Sequence, residues 1–110
     1  MQVAGPLRVK VCCIASHREA EMAVSAGAYA IGLVSAMPSG PGVIEDRLIA
    51  EIAARVPSPV ATFLLTSRTD AEAIAEQHRM CRTTTLQLVD RVSHAELRRL
   101  RVLLDRKSVV

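Results

Sequence analysis

The chain carries three cysteines, and their number and spacing limit the chemistry open to them. Cys12 and Cys13 are adjacent, whereas Cys81 lies far along the chain. Such a set does not form the disulfide framework of a small secreted protein. It matches no zinc-ligand spacing and lacks the two-residue spacer of a redox Cys-x-x-Cys pair. We therefore interpret the cysteines as reduced thiols and expect no metal.

The first predicted strand places a lysine beside one of these thiols. Because side chains alternate across a strand, Lys10 and Cys12 share one face, and Val9, Val11 and Cys13 share the other. If the valines pack under helices, Cys13 faces those helices and Lys10 and Cys12 face away from them. Lys10 is the only lysine outside the C-terminal tail. A Schiff-base lysine in an apolar pocket is therefore one alternative, and borohydride trapping would test it.

Composition and charge exclude several partners. The 110 residues are enough for one small globular domain, and only 2% of them are aromatic. Stacking on nucleobases is therefore nearly unavailable. The net charge of +3 arises in the last twenty residues, which hold six basic and two acidic side chains. We interpret these basic residues as a solvated helix face and expect no nucleic-acid partner.

Apolar runs in the chain are short. None approaches the roughly 20 residues that span a membrane, so no membrane partner is expected. The first ten residues lack the pattern of a secretory signal, and we predict a cytoplasmic protein.

Strand patterns alternate with helix patterns along the chain. Strands are predicted over residues 7–14, 29–34, 60–65 and 84–89. The predicted helices begin at Ser16, near residue 44, at Thr69 or Asp70, and at Ser93, and they end near residues 26, 55, 79 and 104. Ser16 and Ser93 are each followed three residues later by a glutamate, which is typical of a capping box.

This order predicts a parallel sheet covered by helices, because the strands are apolar on both faces. We predict an α/β fold over residues 1–104: the (β/α)4 half of a TIM (β/α)8 barrel. No glycine-rich loop follows the first strand, which disfavours a dinucleotide fold. A half-barrel has open edges and an uncovered face, so self-association through that face is expected.

Four short motifs, in order and at matching intervals, resemble those of phosphoribosylanthranilate isomerases. The stretch from Lys10 to Ser16 resembles the family's Lys-Ile-Cys-Gly-Ile-Thr, and Cys13 replaces its glycine. Residues 26–32 resemble its Ala-Gly-Ala-Asp-Ala-Ile-Gly. Pro38-Ser39 falls at its Ser-Pro-Arg loop, and residues 86–88 fall at its Val-Gln-Leu-His-Gly strand. The resemblance covers residues 7–104, the N-terminal half of the family's barrel.

The resemblance implies an Amadori rearrangement of N-(5-phosphoribosyl)anthranilate, a step of tryptophan biosynthesis, without metal or organic cofactor. One group must protonate the ring oxygen and another must take a proton from the sugar carbon. The resemblance implies Cys12 as that base and an Asp from the second half as the acid. A thiol pKa near about 8.5 must be lowered for this role, and Lys10 is the candidate neighbour. Lys10 and Gln87 are predicted to bind the sugar phosphate.

Some positions depart from the family's pattern. Pro41 stands where the family has the Arg expected to meet the substrate carboxylate, and proline offers no side-chain donor. Arg47 and Arg68 are the candidate replacements. Val89 and Asp90 stand where the family has His and Gly. An isomerase-like protein acting on another sugar phosphate is therefore an alternative.

The sequence contains no counterpart of the family's second half, with its acid and its phosphate site. We therefore expect this chain alone to be incomplete and inactive as an isomerase. Residues 105–110 do not continue the family's pattern and coincide with translated sequencing-adapter DNA, so an artefactual tail is one interpretation. The remaining alternative is a non-enzymatic half-barrel that dimerises as an interaction module.

Overall fold

Strands and helices alternate through the described part of the chain. The computed structural model describes residues 7–109, with the side chains of residues 7–105. The elements are β1 (Lys10–Val11), α1 (His17–Ser25), β2 (Ala30–Val34), α2 (Asp46–Arg55), β3 (Ala61–Thr66), α3 (Ala71–Cys81), β4 (Thr85–Leu88) and α4 (His94–Val109). The four strands form one sheet in the order β1-β2-β3-β4, and every pair is parallel. The predicted (β/α)4 half-barrel fold is confirmed.

The first strand is much shorter than the predicted run over residues 7–14. β1 lies at the edge of the sheet and pairs with β2 alone, through the register Lys10 to Ala30 and Val11 to Ile31. Cys13 has a left-handed backbone with φ 60°, which interrupts the alternation of the strand. One further bond, from the Ile14 N–H to the Gly32 carbonyl, holds the chain to β2 beyond the ladder.

The helices begin where side chains satisfy their free N–H groups. Ser16 Oγ accepts from the Glu19 N–H at 3.1 Å, and Glu19 Oε1 accepts from the Ala15 N–H at 2.7 Å. Asp70, one of the two predicted caps of the third helix, accepts from the Ala73 N–H at 2.9 Å. The capping pattern therefore predicted these starts correctly.

The second half of the chain is held together by a cap that crosses between helices. Ser93 Oγ accepts from the Glu96 N–H at 3.2 Å, as predicted. The Glu96 carboxylate, however, accepts from the Ala71 N–H at the start of α3, at 2.7 Å. Because it satisfies a free donor of a neighbouring helix, Glu96 ties α4 to α3.

The hydrophobic core lies between the sheet and the helices. Its largest part is formed by fully buried side chains of β2, α2 and β3, namely Ile31, Leu33, Ile49, Ile52 and Leu64. A second cluster joins α3 to α4 through Ala71, Ile74 and Leu100. One face of the sheet therefore packs against helices, and the opposite face carries Lys10, Cys12, Gly32, Phe63 and Gln87.

The last helix is longer than predicted. α4 extends to Val109, whereas its end was expected near residue 104. Val110 and the side chains of residues 106–109 lie outside the described residues, so the interpretation of 105–110 as a foreign tail remains a prediction. None of the helices formed by residues 7–109 has the length and apolar character needed to cross a membrane.

Candidate active site

The sheet face that carries no helices brings together side chains from distant parts of the sequence. Parallel pairing aligns Gly32 of β2 with Phe63 of β3, and Leu65 of β3 with Gln87 of β4. Cys12 follows β1, and its Sγ lies 2.8 Å from the point where a Cβ of Gly32 would stand. A thiol, a bare glycine, an aromatic ring and an amide thus lie side by side on this face.

Lys10 reaches across the sheet rather than into solvent. Its Nζ lies 4.4 Å from the centre of the Phe63 ring and donates a hydrogen bond to Gln87 Oε1, three strands away on β4. The glycine between them makes this route possible, because Lys10 Cε lies 3.2 Å from the Cβ position of Gly32. The predicted pair of Lys10 and Gln87 is therefore in direct contact, and the ring holds the ammonium group through a cation–π interaction.

Cys12 is exposed, and its thiol lies on the same face as Lys10. The strand alternation predicted this placement. The Cys12 thiol and the Lys10 stem together fill the space over Gly32, so the two side chains lie next to each other on this face. The thiol is thus accessible to a small molecule at the open face.

Cys13 does not continue β1 as a regular strand residue. Its side chain lies against the loop after β2. Its Sγ lies 3.7 Å from the Pro41 carbonyl oxygen, and a Cβ at Gly42 would stand 2.7 Å from the Cys13 Cβ. Gly42 has φ +82°, a conformation that glycine adopts without strain. The loss of water at this contact is the main cause that raises the pKa of the Cys13 thiol, followed by the charge and the hydrogen bond of Cys12.

The candidate replacements for the missing arginine do not converge on this face. Arg68 donates from Nη1 to the Ala73 carbonyl at 3.0 Å, and its Nη2 lies 3.8 Å from Asp46 Oδ2. These contacts direct Arg68 to the starts of α2 and α3. Arg47 is exposed on α2. Lys10, in contrast, contacts the open face through Phe63 and Gln87.

The two residues after β4, Val89 and Asp90, differ from the His and Gly of the family's motif. Val89 is 43% exposed and donates its backbone N–H to the Thr66 carbonyl at 3.1 Å. Asp90 accepts from the Arg91 N–H at 3.1 Å. Val89 therefore closes the ladder at the end of β4 but offers no side-chain hydrogen bond.

Sequence reasoning missed two members of the site, Gly32 and Phe63. Phe63 is the single phenylalanine of the chain, and alternation along β3 would have placed it with Ala61 and Leu65. Its position under Lys10 depends on the pairing register of three strands, which the sequence does not state. In residues 7–109 no three His, Cys, Asp or Glu side chains gather as a metal site would require.

Parallel strands in sequential order, covered by helices on one face only, define an incomplete β/α barrel with its candidate site on the luminal face. No family model matches the chain. It is 32% identical over 104 residues to N-(5'-phosphoribosyl)anthranilate isomerase of Halorubrum lacusprofundi, which covers 94% of this chain and 49% of that protein. It is 37% identical over 73 residues to the Leptothrix cholodnii enzyme of the same name, covering 64% of this chain and 33% of that protein.

Solved structures show the same fold. The phosphoribosylanthranilate isomerases of Thermotoga maritima and Thermus thermophilus superpose with a TM-score of 0.79, at 23% and 22% identity, over 88% of this chain. A third structure, an isomerase in complex with reduced 1-(o-carboxyphenylamino)-1-deoxyribulose 5-phosphate, gives a TM-score of 0.80 at 23% identity. The resemblance to these isomerases is confirmed, and the chain spans about half the length of the curated relatives it matches.

Proposed function

We propose that this chain forms half of a phosphoribosylanthranilate isomerase-like barrel and supplies its base. Two curated relatives of that name support the reaction class, an Amadori rearrangement in tryptophan biosynthesis. The observation that carries the proposal is the exposed Cys12 thiol beside Gly32, on the face that holds Lys10 and Gln87. A pathway of this kind would operate in the cytoplasm, in keeping with the predicted localisation.

In this proposal Cys12 takes the proton from the sugar carbon, and the acid that protonates the ring oxygen comes from outside these four strands. The Cys12 thiol fills the space over Gly32 and is exposed on the open face, where a substrate carbon can approach it from the solvent side. A positioned base typically contributes on the order of 100- to 10,000-fold to the rate. Because the acid lies outside these four strands, we expect the four-stranded unit alone to be inactive.

Lys10 and Gln87 contact the substrate in this proposal. A sugar phosphate is the partner of the structurally similar isomerase solved with a phosphorylated ligand. With Pro41 at the arginine position, Lys10 supplies a cation on the open face. An ammonium group binds a carboxylate or phosphate as a point charge rather than as a two-pronged fork. A substrate other than the carboxyphenylamino sugar remains the alternative within this class.

A chimera tests the assignment. Residues 7–104 would replace the superposed part of the Thermotoga maritima isomerase, and turnover of phosphoribosylanthranilate would be followed. We expect measurable turnover, which Cys12→Ala lowers at least 100-fold and which Cys13→Gly, the control variant, retains. A folded chimera that turns over equally well with Cys12→Ala would overturn the role of Cys12. Turnover by the 110-residue chain alone would overturn the expected inactivity.

A second candidate is a non-enzymatic dimer of half-barrels. Within the described residues β1 and β4 each pair on one side only, and apolar side chains next to β1 and on α4 are exposed. Leu7 and Val9 are 88% and 48% exposed, and Leu97 and Val102 are exposed on α4. A two-fold axis would place β1 of each copy beside β4 of its partner and close eight strands.

A further inference from the structure

The two thiols that follow β1 are built into the fold as a pair. Both Cys12 and Cys13 are exposed. A regular strand would point neighbouring side chains to opposite faces, but the left-handed φ of Cys13 breaks that alternation. Both cysteines line the same cleft beside α1, so the two thiols open to one space.

Two glycines make the space for the two sulfurs. A Cβ at Gly32 would stand 2.8 Å from Cys12 Sγ, and a Cβ at Gly42 would stand 3.0 Å from Cys13 Sγ. Any other residue at either position would push its thiol away. The Cys13 Sγ lies 3.7 Å from the Pro41 carbonyl oxygen, a long contact, and the side chain is exposed, so a ligand can reach the thiol.

The pair opens into a shallow cleft with apolar walls. Besides the two cysteines, the cleft is lined by Val11, Ile14, Glu19, Met22 and Ala23. Apolar side chains of β1 and α1 thus stand beside the thiols, where the organic substituent of a ligand could rest.

We propose that Cys12 and Cys13 form a dithiol site for trivalent, thiophilic metalloid compounds carrying one apolar organic group, such as arylarsenicals. Sulfur ligands select soft acceptors of this kind. The step with phenylarsine oxide is balanced without any oxidant. Two arsenic–sulfur bonds form, the arsenic–oxygen bond breaks, and the oxygen leaves as water with the two thiol protons. Arsenic stays trivalent, and no sulfur is oxidised.

The dithiol site shares Cys12 with the proposed isomerase role but does not depend on that role. Cys13 stands where the isomerase motif has a glycine, so the second thiol is not needed for the isomerase chemistry. Neither Lys10 nor Gln87 takes part in the dithiol site, and the test below needs no turnover.

Titration of the full 110-residue chain with phenylarsine oxide tests the site. Native mass spectrometry is expected to show one adduct per chain. The chelate should survive a large excess of 2-mercaptoethanol and be removed by 1,2-ethanedithiol, because only a dithiol competes with two tethered sulfurs. Release by the monothiol, or no adduct on a chain whose thiols still react with iodoacetamide, overturns the proposal.

Two variants localise the pair. Cys13→Gly suits a position with φ 60° and removes one thiol, while Cys12→Ser removes the other. Each should weaken the affinity for phenylarsine oxide by on the order of 100-fold. With one thiol left, the second arsenic–sulfur bond, which a tethered neighbour would form at high effective concentration, is lost. Cys81→Ala, which removes the buried thiol, should bind like the unmodified chain. Unchanged affinity in a folded Cys13→Gly chain contradicts the proposal.

Discussion

Gly32 is the residue on which the arrangement of the open face depends most directly. Lys10 crosses above it to reach Phe63 and Gln87, and the Cys12 thiol lies against it. Gly32 has no side chain, and its neighbours fill the space that one would occupy. Any methyl group added there must displace one of them.

We predict that Gly32→Ala destabilises the fold by about 1–3 kcal/mol, the usual cost of overpacking. Its Cβ would stand 2.8 Å from Cys12 Sγ and 3.2 Å from Lys10 Cε. Urea denaturation measures the change. The same substitution introduced into a Cys12→Ala chain should cost less, because the nearest atom is gone. Equal costs in the two backgrounds would show that the thiol is not the obstacle.

The buried Cys81 thiol makes the free energy of unfolding vary with pH in the alkaline range. Burial, and to a lesser extent the charge of Asp46, raises the pKa of the Cys81 thiol from 9.0 to about 11, while Arg68 acts in the opposite direction. The folded state therefore retains a proton that the unfolded state releases. The contribution of Cys81 is complete below pH 9 and is lost as the pH rises towards 11.

We predict that the difference in unfolding free energy between the unmodified chain and Cys81→Ala shrinks as the pH rises from 8 to 10.5. Denaturation at several pH values measures it. Taking the difference between the two chains removes the contributions of the groups that they share. Parallel stability curves across this range would contradict the raised pKa.

At the scale of elements, Glu96 is the side chain whose role changed most between sequence and structure. The spacing Ser93 to Glu96 predicted a cap within one helix, and the serine does cap it. The carboxylate instead bonds to the first N–H of α3. The capping pattern identifies the start of a helix, but it does not reveal which helix the glutamate reaches.

We predict that Glu96→Ala lowers stability by about 1–2 kcal/mol, because the Ala71 N–H loses a charged acceptor in a half-buried place. The exposed Glu76 on α3 is the matched control, and Glu76→Ala should change stability by less than about 0.5 kcal/mol. Equal effects of the two substitutions in thermal denaturation would show that the contact between α4 and α3 contributes nothing.

For the whole molecule, the feature with the largest consequence is the pair of open edges of the sheet, at β1 and at β4. Among residues 7–109, no second strand pairs with the outer side of β1 or of β4. Unpaired strand edges and exposed apolar side chains favour association.

We predict that the full chain sediments as a dimer and that Val9→Lys shifts it towards monomer. Val9 precedes the edge strand β1 and is 48% exposed, so a charge there would have to be buried when a second copy covers it. Met80 on α3, the middle helix between α2 and α4, is also exposed, and Met80→Lys should leave the dimer intact. A monomeric unmodified chain at all concentrations would exclude the closed pair of half-barrels.

The sequence alone determined the order of elements, the helix starts at Ser16, Asp70 and Ser93, and the shared face of Lys10 and Cys12. These features depend on neighbours within a few positions, where periodicity and capping are decisive. Only the tertiary structure decided that Lys10 binds Gln87 over the Phe63 ring, that Glu96 caps α3, and that Cys13 leaves the strand. Those contacts depend on strand register and on space left by glycines, which arise only when distant segments pack together.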